Sequence, residues 1–438
     1  MAEWIGETFT STAGWDLLED LVSIDNRMAG SPGEQEALEL TRDALAAVGA
    51  RDARIESFDV QGWTRGDSHV AVDGDRVADA AHECIALPRS PDGTASGELV
   101  DLGYGLPEDF EQDVEGKVVM VSSTVPDHAD RFIHRREKYF YAVQNGAAAF
   151  VFKNHVEGQL PPTGSVGSES SPIGGIPAVG VSAETGTRLA REHAGEAATV
   201  AVDCEAPDAE SGNAVAELGP DTDEYVIVSS HVDAHDIAEG AMDNGAGTAT
   251  VVEVARALAA REDDLDTRVK CIAYGAEEVG LIGSSVEADR ADQDAIKAIV
   301  NVDSNVYGRT LKLDYHDFDE LNAAADRLEE RFDHPVAGDH ELVPHSDHWP
   351  FVQDGVPGYM VSGETDEEGR GWGHTHADTL DKLEPRDLRE QSILLTSLVV
   401  DLAGDDVTTD PRDPDAIGAQ LEAEDKAEGM KITGDWPF

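Results

Sequence analysis

The sequence predicts an α/β fold: a mainly parallel, helix-covered sheet with a second, β-rich domain inserted into it. Three observations carry that prediction. Beyond residue 220, short apolar β runs alternate with helical patterns, the order that produces a parallel sheet. From about 82 to 205 the grammar differs, with brief β runs separated by Gly- and Pro-rich turns. Nowhere do 18 apolar residues run together, so no membrane span is expected.

Taken in order, residues 15–48 read as two helices around a turn. Trp15, Leu17, Leu18, Leu21 and Val22 share a face, Arg27 to Gly33 (R-M-A-G-S-P-G) is turn chemistry, and residues 34–48 are helical until Gly49. Residues 54–73 read as extended segments bounded by Gly62 and Gly74. In the inserted region, strands are expected near 99–102, 117–121, 148–152 and 178–181, with one helix at 137–145. The third region offers strands at 225–230, 269–275, 298–302, 310–313 and 359–362, and helices at 245–260, 318–332 and 388–403. The expected boundaries are 1–81 and 211–405 for the two parts of one domain, 82–205 for the insertion, and 406–438 for an acidic, loosely held tail that Trp436 and Phe438 could dock.

Composition narrows the function classes. The chain has 438 residues, 40% of them hydrophobic, enough for a sizeable core and a prior of about two to four domains. Lys plus Arg number 32 against 90 Asp plus Glu, a net charge of −58. Such a surface excludes nucleic-acid binding through a broad basic face and disfavours anionic membranes. Self-repulsion on this scale is tolerated when concentrated counter-ions screen it, so a halophile's cytoplasm is the expected setting. The N-terminus lacks a basic region followed by an apolar one, so no signal peptide is visible. Cys84, Cys204 and Cys271 are widely spaced and form no CxxC pair, which predicts reduced thiols.

The chemistry gathers where the strands end, because open α/β sheets bind ligands outside the carboxyl ends of their strands. After 225–230 comes His231-Val232-Asp233; after 269–275 come Glu277 and Glu278; after 298–302 comes Asp303. Beyond 359–362 lies G-H-T-H-A-D-T (373–379), and Asp243-Asn244-Gly245 opens a helix between the first two strands. Two histidines and three carboxylates suit a pair of zinc-like ions, each with an open position. Such ions, about 3.5–4 Å apart, can hold a hydroxide and polarise a carbonyl together. Asp243, at a helix N-terminus, is placed to bridge them. Asp233 is expected to accept the second ring N–H of His231. Of the adjacent glutamates, Glu278 can bind metal while Glu277 serves as general base.

The motifs H-V-D (231–233), A-M-D-N-G-A-G (241–247), E-E-V-G-L-I-G-S (277–284), N-V-D (301–303), S-D-H-W-P-F (346–351) and H-T-H-A-D-T-L-D (374–381) resemble the co-catalytic di-zinc aminopeptidase family. That family includes bacterial leucyl aminopeptidases, carboxypeptidase Q and glutaminyl cyclases. The match runs in order from about 15 to 403 with every metal position filled. It implies a phosphorylase/hydrolase-like zinc peptidase with an inserted protease-associated (PA) domain acting as lid or gate. One metal is implied on His231 and Asp303, the other on Glu278 and His374, with Asp243 bridging and Glu277 as base. A cis peptide is implied at Asp243–Asn244. The family's last ligand stands four residues before the Asp of the D-T pair, which selects His374 over His376.

The resemblance implies two divalent ions, zinc by default with cobalt or manganese also suited, and peptide substrates cut from the amino end. A carboxypeptidase or dipeptidase would share all these ligands. A glutaminyl cyclase would use one zinc and lack the first histidine, and a metal-free binding protein would have lost the set. His235 and Asp236 read as structural or substrate-wall residues. His345, Asp347 and His348 are open between lining the substrate pocket and shaping a loop. Glu287, Asp289 and Asp292 read as solvated surface acids.

Overall fold

The computed structural model describes residues 2–129, 131–168, 170–364 and 371–438. Contacts divide the chain into two units. The first holds Met1–Val60, Ala209–Asp366 and Asp378–Gln420; the second holds Gln61–Asp208, Glu367–Ala377 and Leu421–Phe438.

In the first unit eight strands form one sheet. Their order is Arg51–Gln61, Asp208–Leu218, Arg268–Tyr274, Tyr225–His231, Ile296–Val302, Gly358–Glu364, Thr310–Asp314 and Val336–Asp339. Tyr225–His231 pairs in parallel with both Arg268–Tyr274 and Ile296–Val302, and the latter pairs in parallel with Gly358–Glu364. Every residue of Tyr225–His231 is buried, the signature of a strand covered on both faces. Tyr225, Ile227, Ile272 and Ile299 cluster with Ala288 and Phe351. Helix Ala246–Ala259, buried almost all round, packs on the same strands and against helix Pro385–Leu402. A helix enclosed on most of its sides belongs in a core.

The second unit is a separate sheet in the order Asp75–Ala78, Thr64–Val72, Ala197–Glu205, Gly93–Asp101, Val118–Ser122, Ala149–Lys153, Ala178–Val181 and Cys84–Ala86. Gly93–Asp101, Val118–Ser122, Ala149–Lys153 and Ala178–Val181 run parallel to one another. Phe110, Val119, Tyr139, Phe150 and Phe152 fill its core, and helices Arg135–Gln144 and Ala183–His193 belong to it.

The units divide after Val60, upstream of the expected 81, because Thr64–Val72 pairs antiparallel with Ala197–Glu205 from Thr64 opposite Glu205 to Val72 opposite Ala198. Alternation announced a strand there but could not name its partner. The tail is a correction. Instead of a loose acidic segment it forms helices Pro414–Ala423 and Ala427–Thr433, with Ile417, Leu421 and Met430 buried. Arg136 holds Asp435 at 2.7 Å, and Trp436 and Phe438 meet edge to face. A few apolar side chains at helical spacing outweigh an acidic composition. Glu287, expected among the surface acids, is likewise buried and paired with Lys270. All three cysteines are free thiols, and Cys84 and Cys271 are buried. No helix among the described residues is long and apolar enough to cross a membrane.

Met430 is 4% exposed, so truncating it removes a filled site rather than a surface contact. Met430→Ala should cost about 2 kcal/mol, read as faster limited proteolysis of the second unit and a lower urea midpoint. An unchanged midpoint would return the tail to the loosely held state that its composition suggests.

Candidate metal centre

Three strands of the first unit end side by side and each delivers an acidic or imidazole group. His231 is the last residue of its strand, in register with Tyr274, the last of the next. Glu277 and Glu278 follow Tyr274 after the turn Gly275-Ala276, and Asp303 follows Val302 directly. Asp243 comes from a different device, a π-type turn at Ala241–Gly245 that leads into helix Ala246–Ala259. The Asp243–Asn244 peptide is cis, as expected. Asn244 anchors this turn: its amide donates to the Val302 carbonyl at 2.8 Å, and its oxygen accepts from Gly247 N at 3.0 Å.

The donor atoms of His231, Asp243 and Asp303 lie within 4.8 Å of one another, and all three residues are buried. His231 Nε2 faces Asp243 at 3.3 Å, Asp303 at 3.7 Å and Glu277 at 4.0 Å. It makes no hydrogen bond, although it is fully buried. An orphaned imidazole nitrogen facing three carboxylates is a poor hydrogen-bonding arrangement and a good cation site. The residues therefore fit a divalent metal.

The supports of these groups are equally specific. His231 Nδ1–H donates to the backbone carbonyl of Asp233 at 3.1 Å, while the Asp233 carboxylate stands farther off at 3.5 Å. Because a carbonyl only accepts, the neutral ring keeps its proton on Nδ1 and turns the Nε2 lone pair to the cluster. The Asp233 carboxylate is engaged elsewhere: its two oxygens accept from the N–H groups of Glu277 at 3.1 Å and Glu278 at 3.2 Å. Asp233 thus orients the histidine through its main chain and the glutamates through its side chain, where the sequence suggested only the first task through the side chain. Asp303 accepts from Ser346 Oγ at 2.8 Å, Ser346 from Asn301 at 2.9 Å, and Asn301 from Ser229 at 2.9 Å.

Two residues enter that the motif reading did not assign. Asp378 is buried, and its carboxylate accepts from the N–H groups of Met242 at 2.8 Å and Asp243 at 3.1 Å, fixing the turn that presents Asp243. Its position in H-T-H-A-D-T was visible, but a spacing cannot disclose which backbone it caps. His235, read as a wall residue, brings Nε2 to 2.9 Å from Glu278 Oε2. Of the H-S-D-H run, His345 is exposed and His348 is fully buried, its ring stacked on His316 with centroids 4.8 Å apart. Burial lowers the His348 pKa well below the ordinary histidine value. Asp347 is buried, and burial pushes its pKa to about 7, with His231 and Ser284 opposing and Asp233 and Asp303 reinforcing the rise. His374 lies in Glu367–Ala377, which belongs to the second unit, and its carbonyl accepts from Thr163 N at 2.8 Å.

Charge sets the protonation of the cluster. Burial raises Glu277 well above the usual carboxylate range, with Glu278, Asp347 and Asp303 adding to the rise and His231 opposing it. For His231, burial acts to lower the pKa but is outweighed by Glu277, Asp233, Asp243 and Asp303, which raise it well above its ordinary value.

A model of peptidase family M28 matches residues 213–399, and a PA domain model matches residues 95–189. The chain is therefore a peptidase. Aminopeptidase YwaD of Bacillus subtilis (strain 168) is 26% identical over 395 residues, covering 86% of this chain and 81% of that protein. Carboxypeptidase Q of Bos taurus is 24% identical over 397 residues, covering 85% and 80%. Among solved structures, BSAP, a zinc aminopeptidase from Bacillus subtilis, aligns with TM-score 0.70 and 23% identity over 90% of this chain and 95% of that one. A peptidase M28 precursor from Shewanella amazonensis aligns with TM-score 0.77 and 21% identity over 94% and 97%. At these identities the structural likenesses speak for the M28 peptidase fold.

A cation at His231 needs the neutral ring, so binding at neutral pH must expel the proton that the surrounding carboxylates hold there. Affinity should fall as pH falls. Titration calorimetry with zinc in buffers of different ionisation enthalpy should give different apparent heats; identical heats would show that no proton leaves.

Proposed function

We propose that this M28 peptidase is a metal-dependent aminopeptidase that hydrolyses N-terminal residues from peptides. The observation that carries the reading is the convergence of His231, Asp243 and Asp303 within 4.8 Å, beside Glu277. In this reading His231 and Asp303 would hold one divalent ion and Glu278 and His374 a second, with Asp243 available to both. Zinc is the default, with cobalt and manganese suited to the same groups. When bound, such ions supply Lewis acidity to a peptide carbonyl and make water a stronger acid.

The chain's own residues do the rest. Glu277, whose side chain is 11% exposed, is the carboxylate left to meet water and substrate. It removes a proton from the attacking water and returns it to the nitrogen of the leaving amine, ending as it began. Its raised pKa favours holding that proton between the two steps. Asp233 keeps the Glu277 and Glu278 backbone in place through both transfers. His345, Asp347 and His348 are candidate contacts for substrate. His235, 2.9 Å from Glu278, is an additional donor at the second position.

The net charge of −58 supports a protein working in the high-salt cytoplasm of a halophile. The acidic surface argues against nucleic acid and anionic membranes as partners, and the peptidase relatives support peptides as substrates.

Glu277→Gln should keep both metals yet lose kcat by about 10²–10⁴-fold; normal kcat with metals retained would remove Glu277 from the chemistry. Mass spectrometry of a free-amine decapeptide in molar KCl with zinc should show stepwise loss from the amino end. Loss from the carboxyl end would move the activity to that of the relative carboxypeptidase Q, with the same metal groups.

A further inference from the structure

The turn R-M-A-G-S-P-G (27–33) and the helix that follows it have no part in the chemistry above. In the structure Arg27 is 2% exposed and Glu34 is completely buried. Arg27 spends its donors on main-chain carbonyls: Nε on Val232 at 3.2 Å, Nη1 on Leu21 and Glu239 at 2.8 Å each, and Nη2 on Gly240 at 2.8 Å. Its own carbonyl accepts from Ala234 N at 3.1 Å. Val232 follows His231, and Gly240 precedes the turn that carries Asp243, so one guanidinium grips both ends of the loop between two metal-type ligands. That loop also carries His235.

Glu34 does the same for the other acidic pair. It is the third residue of helix Pro32–Ala47, whose N-cap is Ser31. One carboxylate oxygen accepts from Gly30 N at 2.6 Å; the other accepts from Ser211 Oγ at 2.8 Å and from Ala276 N at 2.9 Å. Ala276, immediately before Glu277, is held at φ 58°, a region that a residue with a β-carbon enters reluctantly. The turn itself is tightly closed, since a β-carbon at Gly33 would fall on the Asn26 carbonyl.

We propose that Arg27 and Glu34 are positioning residues of the metal centre: Arg27 sets the His231–Asp243 loop for the cation, and Glu34 sets the backbone that aims Glu277. Neither reaches a donor atom of the cluster. They act from 205 and 242 residues away along the chain, on Val232 and Ala276 respectively. Arg27 adds a buried positive charge near Asp378, Asp233 and Glu278; burial lowers its pKa to about 10, which still leaves it charged at neutral pH. A purely packing role would need neither four directed donors nor a carboxylate aimed at the amide before the base.

This inference rests on the metal reading above, and cobalt titration followed by d–d absorption separates the two. Wild-type protein that binds no cobalt fails the metal reading itself. Given a binding wild type, Arg27→Lys, which keeps the charge but loses the fork, should weaken cobalt binding about 10–100-fold, with activity restored by excess cobalt at unchanged KM. Cobalt affinity equal to wild type overturns the role of Arg27. Should R27K not fold alone, recovery of folded protein in saturating cobalt supports the coupling and no recovery overturns it. Glu34→Gln puts an amide donor against a backbone donor and should lower kcat at least about tenfold with KM and cobalt affinity unchanged. Wild-type kcat in E34Q overturns the role of Glu34.

Discussion

The structure of the first unit turns on one constraint, the burial of many carboxylates in one place. Asp233, Asp243, Glu278, Asp303, Asp347 and Asp378 are all buried, and Asp233, Glu278 and Asp303 follow strand ends directly or within a few residues. Like charges in a poorly solvated space repel, and each either gains a proton, gains donors or awaits a cation. All three outcomes are present. Glu277 and Asp347 are pushed toward the protonated form. Asp233 and Asp378 are each met by two backbone N–H groups. Asp243 and Asp303 instead face the unbonded nitrogen of His231. A protein that arranges its acids this way is built around positive charge that it does not itself supply in full.

The scaffold makes the arrangement affordable through rigidity. The strands delivering His231 and Asp303 are central, parallel and buried, and the helix after Asp243 is buried along most of its length. Close-packed elements let side-chain positions be set to fractions of an ångström, as metal ligation requires. Hydrogen bonds then extend outward from the ligands, through Ser346 and Asn301 to Ser229 in one direction and through Asp233 to the glutamates in the other.

Much of this was legible in the sequence because the strand-end rule operates on order alone. A β run followed by H-V-D, another by G-A-E-E and a third by N-V-D places three chemical groups on one rim without knowledge of contacts. The same logic fails for groups whose role is to bond backbone. Asp378 and Glu34 are ordinary acids in a chain with 90 of them, and only their N–H partners distinguish them. Asp233 was found, but the atom that orients His231 is its carbonyl, which every residue possesses. Thr64–Val72 read as a strand, yet its pairing with Ala197–Glu205 put it in the second unit. The tail misled through composition, since Ile417, Leu421 and Met430 are few but suffice to bury a stripe.

The sequence by itself determined the fold class, the strand-end groups and the acid–base chemistry they can perform, because periodicity and local order are properties of the chain. Tertiary structure decided which acids are shared with backbone, which face His231, and that an N-terminal turn grips two loops more than 200 residues away. Those outcomes depend on distances between residues remote in sequence, and on the cost of leaving a buried donor or acceptor unmet. Neither is written in local order.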